Sequence, residues 1–155
     1  IERSSLVDII QSCIKYKLKI TSKDFTDNGS RVVLNFGHTF GHAIEKAYSL
    51  KHGVAILWGI ILYFKVFKQD QFIKEVEKIK SALEWEEEMA PWSASMFSIN
   101  RLLSYLDKDK KMVTRDSVNL VDIEAIGKPI VKRHCLSSLK VMLEDVLDNN
   151  TNLMI

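Results

Sequence analysis

Apolar residues recur near the start of the chain at three- and four-residue spacing: Leu6, Ile9, Ile10, Cys13 and Ile14. That period writes one face of a helix, which is expected to turn toward the core. Ser4 or Ser5 can cap it, with Asp8 in its first turns. Residues 20–30, Ile-Thr-Ser-Lys-Asp-Phe-Thr-Asp-Asn-Gly-Ser, lose the period and read as a loop. A second helix is predicted from about Arg31 to Tyr48 and a third from about Gly53 to Phe67. The third is apolar on nearly every side, so it should be the central buried helix. Gln69 to Leu83 makes an amphipathic fourth, with Phe72, Val76, Ile79 and Leu83 inward. Glu84 to Pro91 is acidic and then broken by proline, and Ser98 to Leu106 is a fifth helix.

Past that point the period shortens. Val118, Leu120 and Val121, then Ile130 and Val131, flank Ala125-Ile126-Gly127-Lys128-Pro129. Two short strands or a β-ribbon are predicted there. Ser137 to Leu147 closes the pattern as a helix. The expected fold is mainly α: a helical domain over residues 1–148 with a short β-ribbon near its C-terminal end, and a polar tail at 149–155.

Composition narrows the function classes. The 155 residues are 46% hydrophobic and 27% charged, enough for one real core. Twenty-two basic against twenty acidic residues leave a net charge of +2. That balance carries no electrostatic footprint for nucleic acid or an anionic membrane. The longest apolar run, Val54 to Phe64, is well short of the ~20 residues of a membrane-spanning helix. No signal-peptide pattern opens the chain. Two cysteines, Cys13 and Cys135, make no disulfide framework and no Cys-x-x-Cys, so a reducing cytoplasm is the default expectation. The chain opens on Ile1 inside a helical pattern, and a piece of a longer protein is expected.

The second predicted helix gathers the chemistry. At about 100° per residue, Arg31, Asn35, His38, His42 and Glu45 fall within roughly an 80° arc. Val33, Phe36, Phe40, Ala43, Ile44 and Ala47 take the opposite side, a core face. Gly37 and Gly41 each cost about 1 kcal/mol against alanine in a helix. Two of them four apart suggest close approach by another backbone or a ligand, or tight helix–helix packing. Histidines at i and i+4 can share a metal, although two surface histidines would give the same spacing. The zincin pattern would place Glu where Thr39 stands, so a helix-borne water activator is not supported. His52 follows the short Ser49-Leu50-Lys51 connection, and an αα-hairpin would return it beside the polar face. His38, His52 and one carboxylate would then form a metal site with an open position. His134 stands apart, structural or exposed. Lys17 continues the stripe of the first helix, either snorkelling to water or aimed into a cleft. Lys108-Asp109-Lys110-Lys111 is a solvated run or a set of point charges for a phosphate.

The run Arg31…Leu34-Asn35-Phe36-Gly37-His38-Thr39-Phe40-Gly41-His42-Ala43-Ile44-Glu45, followed by His52-Gly53, resembles 3-dehydroquinate synthase and the related sugar-phosphate cyclases. Lys17…Asp24…Gly29-x-Arg31 fits that family's lysine-to-arginine spacing. Asp109-Lys110-Lys111 and Ala125-Ile126-Gly127-Lys128 fit its C-terminal region. The resemblance implies the helical C-terminal domain of such an enzyme. Missing are an N-terminal NAD-binding α/β domain and an upstream segment that supplies a third, glutamate zinc ligand and another substrate lysine. By the same resemblance His38 and His52 are the ligands of Zn2+, or of another divalent metal such as Co2+, and His42 does not share the metal. His42 and Lys17 are catalytic, and together with Arg31, Asn35, Lys110 and Asp27 they bind substrate.

The implied reaction converts a seven-carbon 2-keto-3-deoxy sugar-acid phosphate to 3-dehydroquinate and phosphate with NAD, in the shikimate pathway of aromatic amino acid biosynthesis. A cytoplasmic homodimer is implied for the full-length enzyme, and the chain alone is expected to be inactive. Two departures stand out. Asp27 replaces the usual Glu four residues before the motif arginine, and Val54 replaces the Glu of the family's His-Gly-Glu-Ala. The second admits a sister cyclase with another substrate. A metal-dependent polyol dehydrogenase shares the two-domain plan but has no need of Arg31, Lys17 and Lys110 to grip a phosphate.

Overall fold

The computed structural model describes residues 3–25, 29–82, 91, 98–106, 112–114 and 116–148. Helix α1 spans Arg3–Thr21. A 3-10 turn, η1, covers Ser30–Asn35 and leads into α2, His38–Tyr48. Then come α3 (His52–Val66), α4 (Asp70–Ala82) and α5 (Ile99–Leu106). Strands β1 (Met112–Thr114), β2 (Ser117–Ala125) and β3 (Lys128–Cys135) form an antiparallel sheet in that order. Helix α6, Leu136–Asp148, follows. The mainly α reading with a β-ribbon holds, with β1 added as a third, short strand. No helix among the described residues is long and apolar enough to cross a membrane.

Packing centres on α3. Its Ile61 and Leu62 are fully buried, together with Phe40 and Ile44 of α2, Leu102 of α5, Leu143 of α6 and Val118 of β2. Helices α2 and α3 form an antiparallel hairpin, Gly37 lying beside Ile60 and Gly41 beside Ile56. Ser49 makes the turn between them with a left-handed backbone (φ 55°). The Tyr48 hydroxyl donates to the Ser98 carbonyl at 3.3 Å and accepts the Ser98 N–H at 3.2 Å, pinning the end of α2 to the start of α5. The ribbon turns at Ile126-Gly127, where Gly127 has φ 80° and Ala125 pairs with Lys128. That positive φ is why glycine stands there.

Asp122 of β2 is buried beneath the ribbon. Both its oxygens accept the His134 ring, at 3.1 and 3.2 Å, and it also accepts the Tyr63 hydroxyl from α3. Burial, then the Asp122 charge, pushes the Tyr63 pKa well above the usual tyrosine range. His134 is therefore held half-buried against Asp122 rather than exposed.

Three expectations fail. The helix predicted from Arg31 to Tyr48 is broken: Phe36 leaves the helical backbone and Gly37 takes φ 74°, a left-handed position that favours glycine. The stripe on α1 has the expected period but does not face the core. Leu6, Ile9, Ile10 and Ile14 keep 43–52% of their surface, and Cys13 is exposed. Helix α1 packs on η1, and no described element closes over the stripe. On α4, Ile73 and Val76 point inward while Ile79 points out. The next inward place goes to Lys80, whose ammonium lies 5.0 Å from the Trp58 ring centre. A lysine stem there covers apolar surface, which a hydrophobic count does not register. Leu83, the acidic stretch before Pro91 and the 149–155 tail lie outside the described residues.

Candidate metal centre

The left-handed turn at Gly37 starts α2 at His38, with Gly41 and His42 one turn further on. His52 opens α3. The hairpin brings the three imidazoles together. Ring centres are 5.2 Å apart for His38 and His42, 5.6 Å for His38 and His52, and 5.7 Å for His42 and His52. One ring nitrogen from each lies within 4.8 Å of the other two, and among the described residues this is the group able to hold a metal ion. His38 and His42 are half-buried, and His52 is exposed.

The close approach of α2 and α3 comes from glycine. A Cβ on Gly59 would stand 2.7 Å from the Gly41 Cα and closer still to the Gly37 oxygen and the Gly41 nitrogen. Backbone meets backbone there, which the spacing of Gly37 and Gly41 suggested. Their partner, Gly59, was hidden in the apolar run of α3.

Ring orientation is fixed by acceptors. His38 Nδ1 lies 3.1 Å from the Phe36 carbonyl oxygen. A carbonyl only accepts, so a neutral His38 carries its proton on Nδ1 and presents a bare Nε2. His52 Nδ1 lies 3.2 Å from Glu45 Oε2. The donor set fits a divalent ion of the zinc or cobalt type, which takes neutral imidazole nitrogen. Nitrogens around one tetrahedral zinc, at ~2.0–2.1 Å each, stand roughly 3.3 Å apart. From a spacing of up to 4.8 Å the nitrogens would close by about 1.5 Å on binding.

The other predicted residues surround this centre unevenly. Arg31 and Asn35 sit on η1, not on the histidine helix. Asp24 organises the turn before them: its Oδ2 accepts the Gly29 N–H at 2.8 Å and the Arg31 N–H at 2.9 Å. The Arg31 guanidinium donates to the Phe25 carbonyl at 3.2 Å and helps line an open hollow with Leu18, Lys19, Thr21, Ser22 and Phe25. Asn35 lines a narrow crevice with Gly37, Thr39, Phe40 and Tyr63. Lys17 is exposed near the end of α1, on a different element from the histidines. Val54 is buried on α3. Asp27 and Lys110 lie outside the described residues. Asp24 has a sequence signal of its own, an acidic side chain able to accept backbone N–H groups in a glycine-containing polar loop.

The sequence model of one protein family, described as 3-dehydroquinate synthase C-terminal, matches residues 1–112. The chain is 33% identical over 140 residues to a 3-dehydroquinate synthase of Staphylococcus saprophyticus, covering 83% of this chain and 37% of that one. It is 28% identical over 134 residues to the enzyme so named from Neisseria meningitidis serogroup C, covering 84% and 37%. Over 61 residues, 38% of this chain and 18% of the relative, identity to the Pyrococcus furiosus 3-dehydroquinate synthase reaches 48%. Among solved structures it superposes on 2-deoxy-scyllo-inosose synthase complexed with carbaglucose-6-phosphate, NAD+ and Co2+. The TM-score is 0.72 at 19% identity, over 92% of this chain and 42% of that one. That likeness shows the shared fold. The chain thus spans less than two-fifths of the length of these curated relatives.

Proposed function

Because the chain belongs to the 3-dehydroquinate synthase C-terminal family, we propose that it forms the metal- and substrate-binding half of a carbon–oxygen lyase. The enzyme converts a seven-carbon 2-keto-3-deoxy sugar-acid phosphate to 3-dehydroquinate and phosphate, within aromatic amino acid biosynthesis. NAD belongs to the part that the longer relatives carry and this chain lacks. The observation that carries the reading is the triangle of His38, His42 and His52, whose ring nitrogens converge within 4.8 Å.

His38 and His52 would hold the metal through Nε2, with a carboxylate from outside this chain as third ligand. When bound, the metal acidifies a substrate hydroxyl and polarises the derived carbonyl. His42, beside both rings, would exchange a proton with substrate as general acid–base. Arg31 and Asn35, presented by η1, orient the anionic and hydroxyl groups of the substrate, and Lys17 and Lys110 add charge for its phosphate and carboxylate. Asp27 joins the same substrate set. The apolar stripe of α1 is covered in the complete enzyme by the part absent here. Val54 favours a second reading. A buried aliphatic two residues after His52 removes a carboxylate from the metal's neighbourhood, and a sister cyclase with another sugar phosphate would tolerate that.

The test joins this chain to the upstream part of such an enzyme and measures metal content and dehydroquinate formation. His38→Ala and His52→Ala each lose zinc, whereas His42→Ala keeps zinc and loses turnover. Equal loss of zinc in all three variants overturns the division of roles. Turnover by the 155-residue chain alone would overturn the dependence on the upstream part.

A further inference from the structure

The histidine at the exposed corner of the site is held by a carboxylate. His52 keeps 55% of its side-chain surface and Glu45 32%, with 3.2 Å between Nδ1 and Oε2. An ion pair so exposed adds little to stability. Its geometric consequence is larger. Glu45 lies on α2, a turn beyond His42, while His52 opens α3, so the contact bridges the two helices that carry the metal nitrogens. The carboxylate accepts, and therefore a neutral His52 keeps its proton on Nδ1 and leaves Nε2 unprotonated, on a ring centred 5.6 Å from that of His38 and 5.7 Å from that of His42. His38 is set the same way by the Phe36 carbonyl, 3.1 Å away. Two ligands from two helices thus carry matched tautomers through two different acceptors.

We propose that Glu45 is a positioning residue for the metal centre: it fixes the tautomer and ring direction of His52. This rests on the metal reading above and adds to it a residue that binds neither metal nor substrate. Phe36 supplies its acceptor from the main chain, which no substitution at that position removes. Glu45 is the point at which the arrangement can be changed by one side chain.

The experiment uses the 155-residue chain with Co2+ as probe, read by its visible absorption, and 15N–1H correlation spectra of the metal-free histidine rings. In the native chain His52 carries its proton on Nδ1. In Glu45→Ala the proton moves to Nε2, and Co2+ affinity falls by about 10–100-fold, the usual cost of removing such a partner. Glu45→Gln, which can still accept from Nδ1–H but has no charge, falls between. Alanine is a good helix former, so the melting temperature should stay close to that of the native chain, separating positioning from folding. If His38→Ala and His52→Ala abolish Co2+ binding while Glu45→Ala binds it like the native chain, this inference fails and the metal reading survives. The same holds if the His52 tautomer is indifferent to Glu45. A native chain that takes up no Co2+ even when joined to the part that supplies the third ligand overturns the metal reading and this one with it.

Discussion

Replacing Gly59 by alanine tests the fold and the metal centre in one step. The added Cβ would stand 2.7 Å from the Gly41 Cα, where ordinary contact begins at 3.4 Å, and nearer still to two other backbone atoms. None of these is a flexible side-chain end, so α2 and α3 must part by about 0.7 Å or more. Overpacking of this kind costs about 1–3 kcal/mol, and backbone neighbours put it at the upper end. Alanine returns up to about 1 kcal/mol of helix propensity. The clash wins by about 2 kcal/mol, which in a chain of this size lowers the melting temperature by roughly 4–8 °C.

The same separation moves His38 and His42 away from His52. Metal–ligand distances tolerate only about ±0.2 Å. Co2+ affinity should therefore fall tenfold or more, an effect of the size seen when a ligand's supporting partner is lost. Thermal unfolding by circular dichroism and Co2+ titration read the two effects. Gly53→Ala is the control: it lies on the same helix, beside His52, and a Cβ there meets nothing within 4 Å. It should hold or raise the melting temperature and leave metal binding intact. A Gly59→Ala chain that melts no lower than native and binds Co2+ equally would refute the close-packing account of the site.

The other expectations are shorter. Asp122→Ala strands the donors of His134 and Tyr63 beneath the ribbon and should cost about 1–3 kcal/mol in urea unfolding; no loss would mean water replaces the carboxylate at once. Because the Tyr63 pKa is raised in the fold, the folded state holds a proton that the unfolded state releases above about pH 10. Stability should fall as pH rises past that value, and Tyr63→Phe should blunt the fall. Cys135 has its thiol pKa lowered, first by the Ser137 hydroxyl and then by the Ser138 backbone N–H, so iodoacetamide should modify it at lower pH than an ordinary exposed thiol; Ser137→Ala should slow that reaction. Lys17→Met should leave the melting temperature of this chain unchanged, since Lys17 is exposed, yet slow turnover sharply in the assembled enzyme.

How far the sequence could be read follows from which features are local. The central place of α3 followed from a run apolar on all sides. The return of His52 followed from a three-residue connection between two helices. The ribbon and α6 were written in the change of period after Leu106. The break before His38 was not legible, because a glycine counted as a costly helix residue and a glycine required at φ 74° look the same in a periodic pattern. Nor was the address of α1. Amphipathicity states that a face wants cover and does not say which chain provides it. At Lys80 a long aliphatic stem took an inward place that no apolar letter marks.

The division between legible and hidden parts also divides the site. Among the described residues, the groups proposed to build the metal site lie between Phe36 and Gly59: two acceptors, three imidazoles, a left-handed turn and the glycines of the close approach. Such contacts need no distant element, so the share of the proposed metal site that this chain supplies can be assembled by one hairpin. The groups proposed to hold substrate are spread over α1, η1 and stretches beyond the described residues. Helix α1 still exposes the apolar face through which it would be fixed. A chain of this length should therefore hold its histidines in order before it can hold a substrate. The chain alone should bind metal weakly through His38 and His52 and substrate phosphate not at all, and joining it to the part the longer relatives carry should bring in both the third ligand and the phosphate grip. A calorimetric titration of metal and of substrate phosphate, with and without that part, distinguishes this order of assembly from one in which both halves form together.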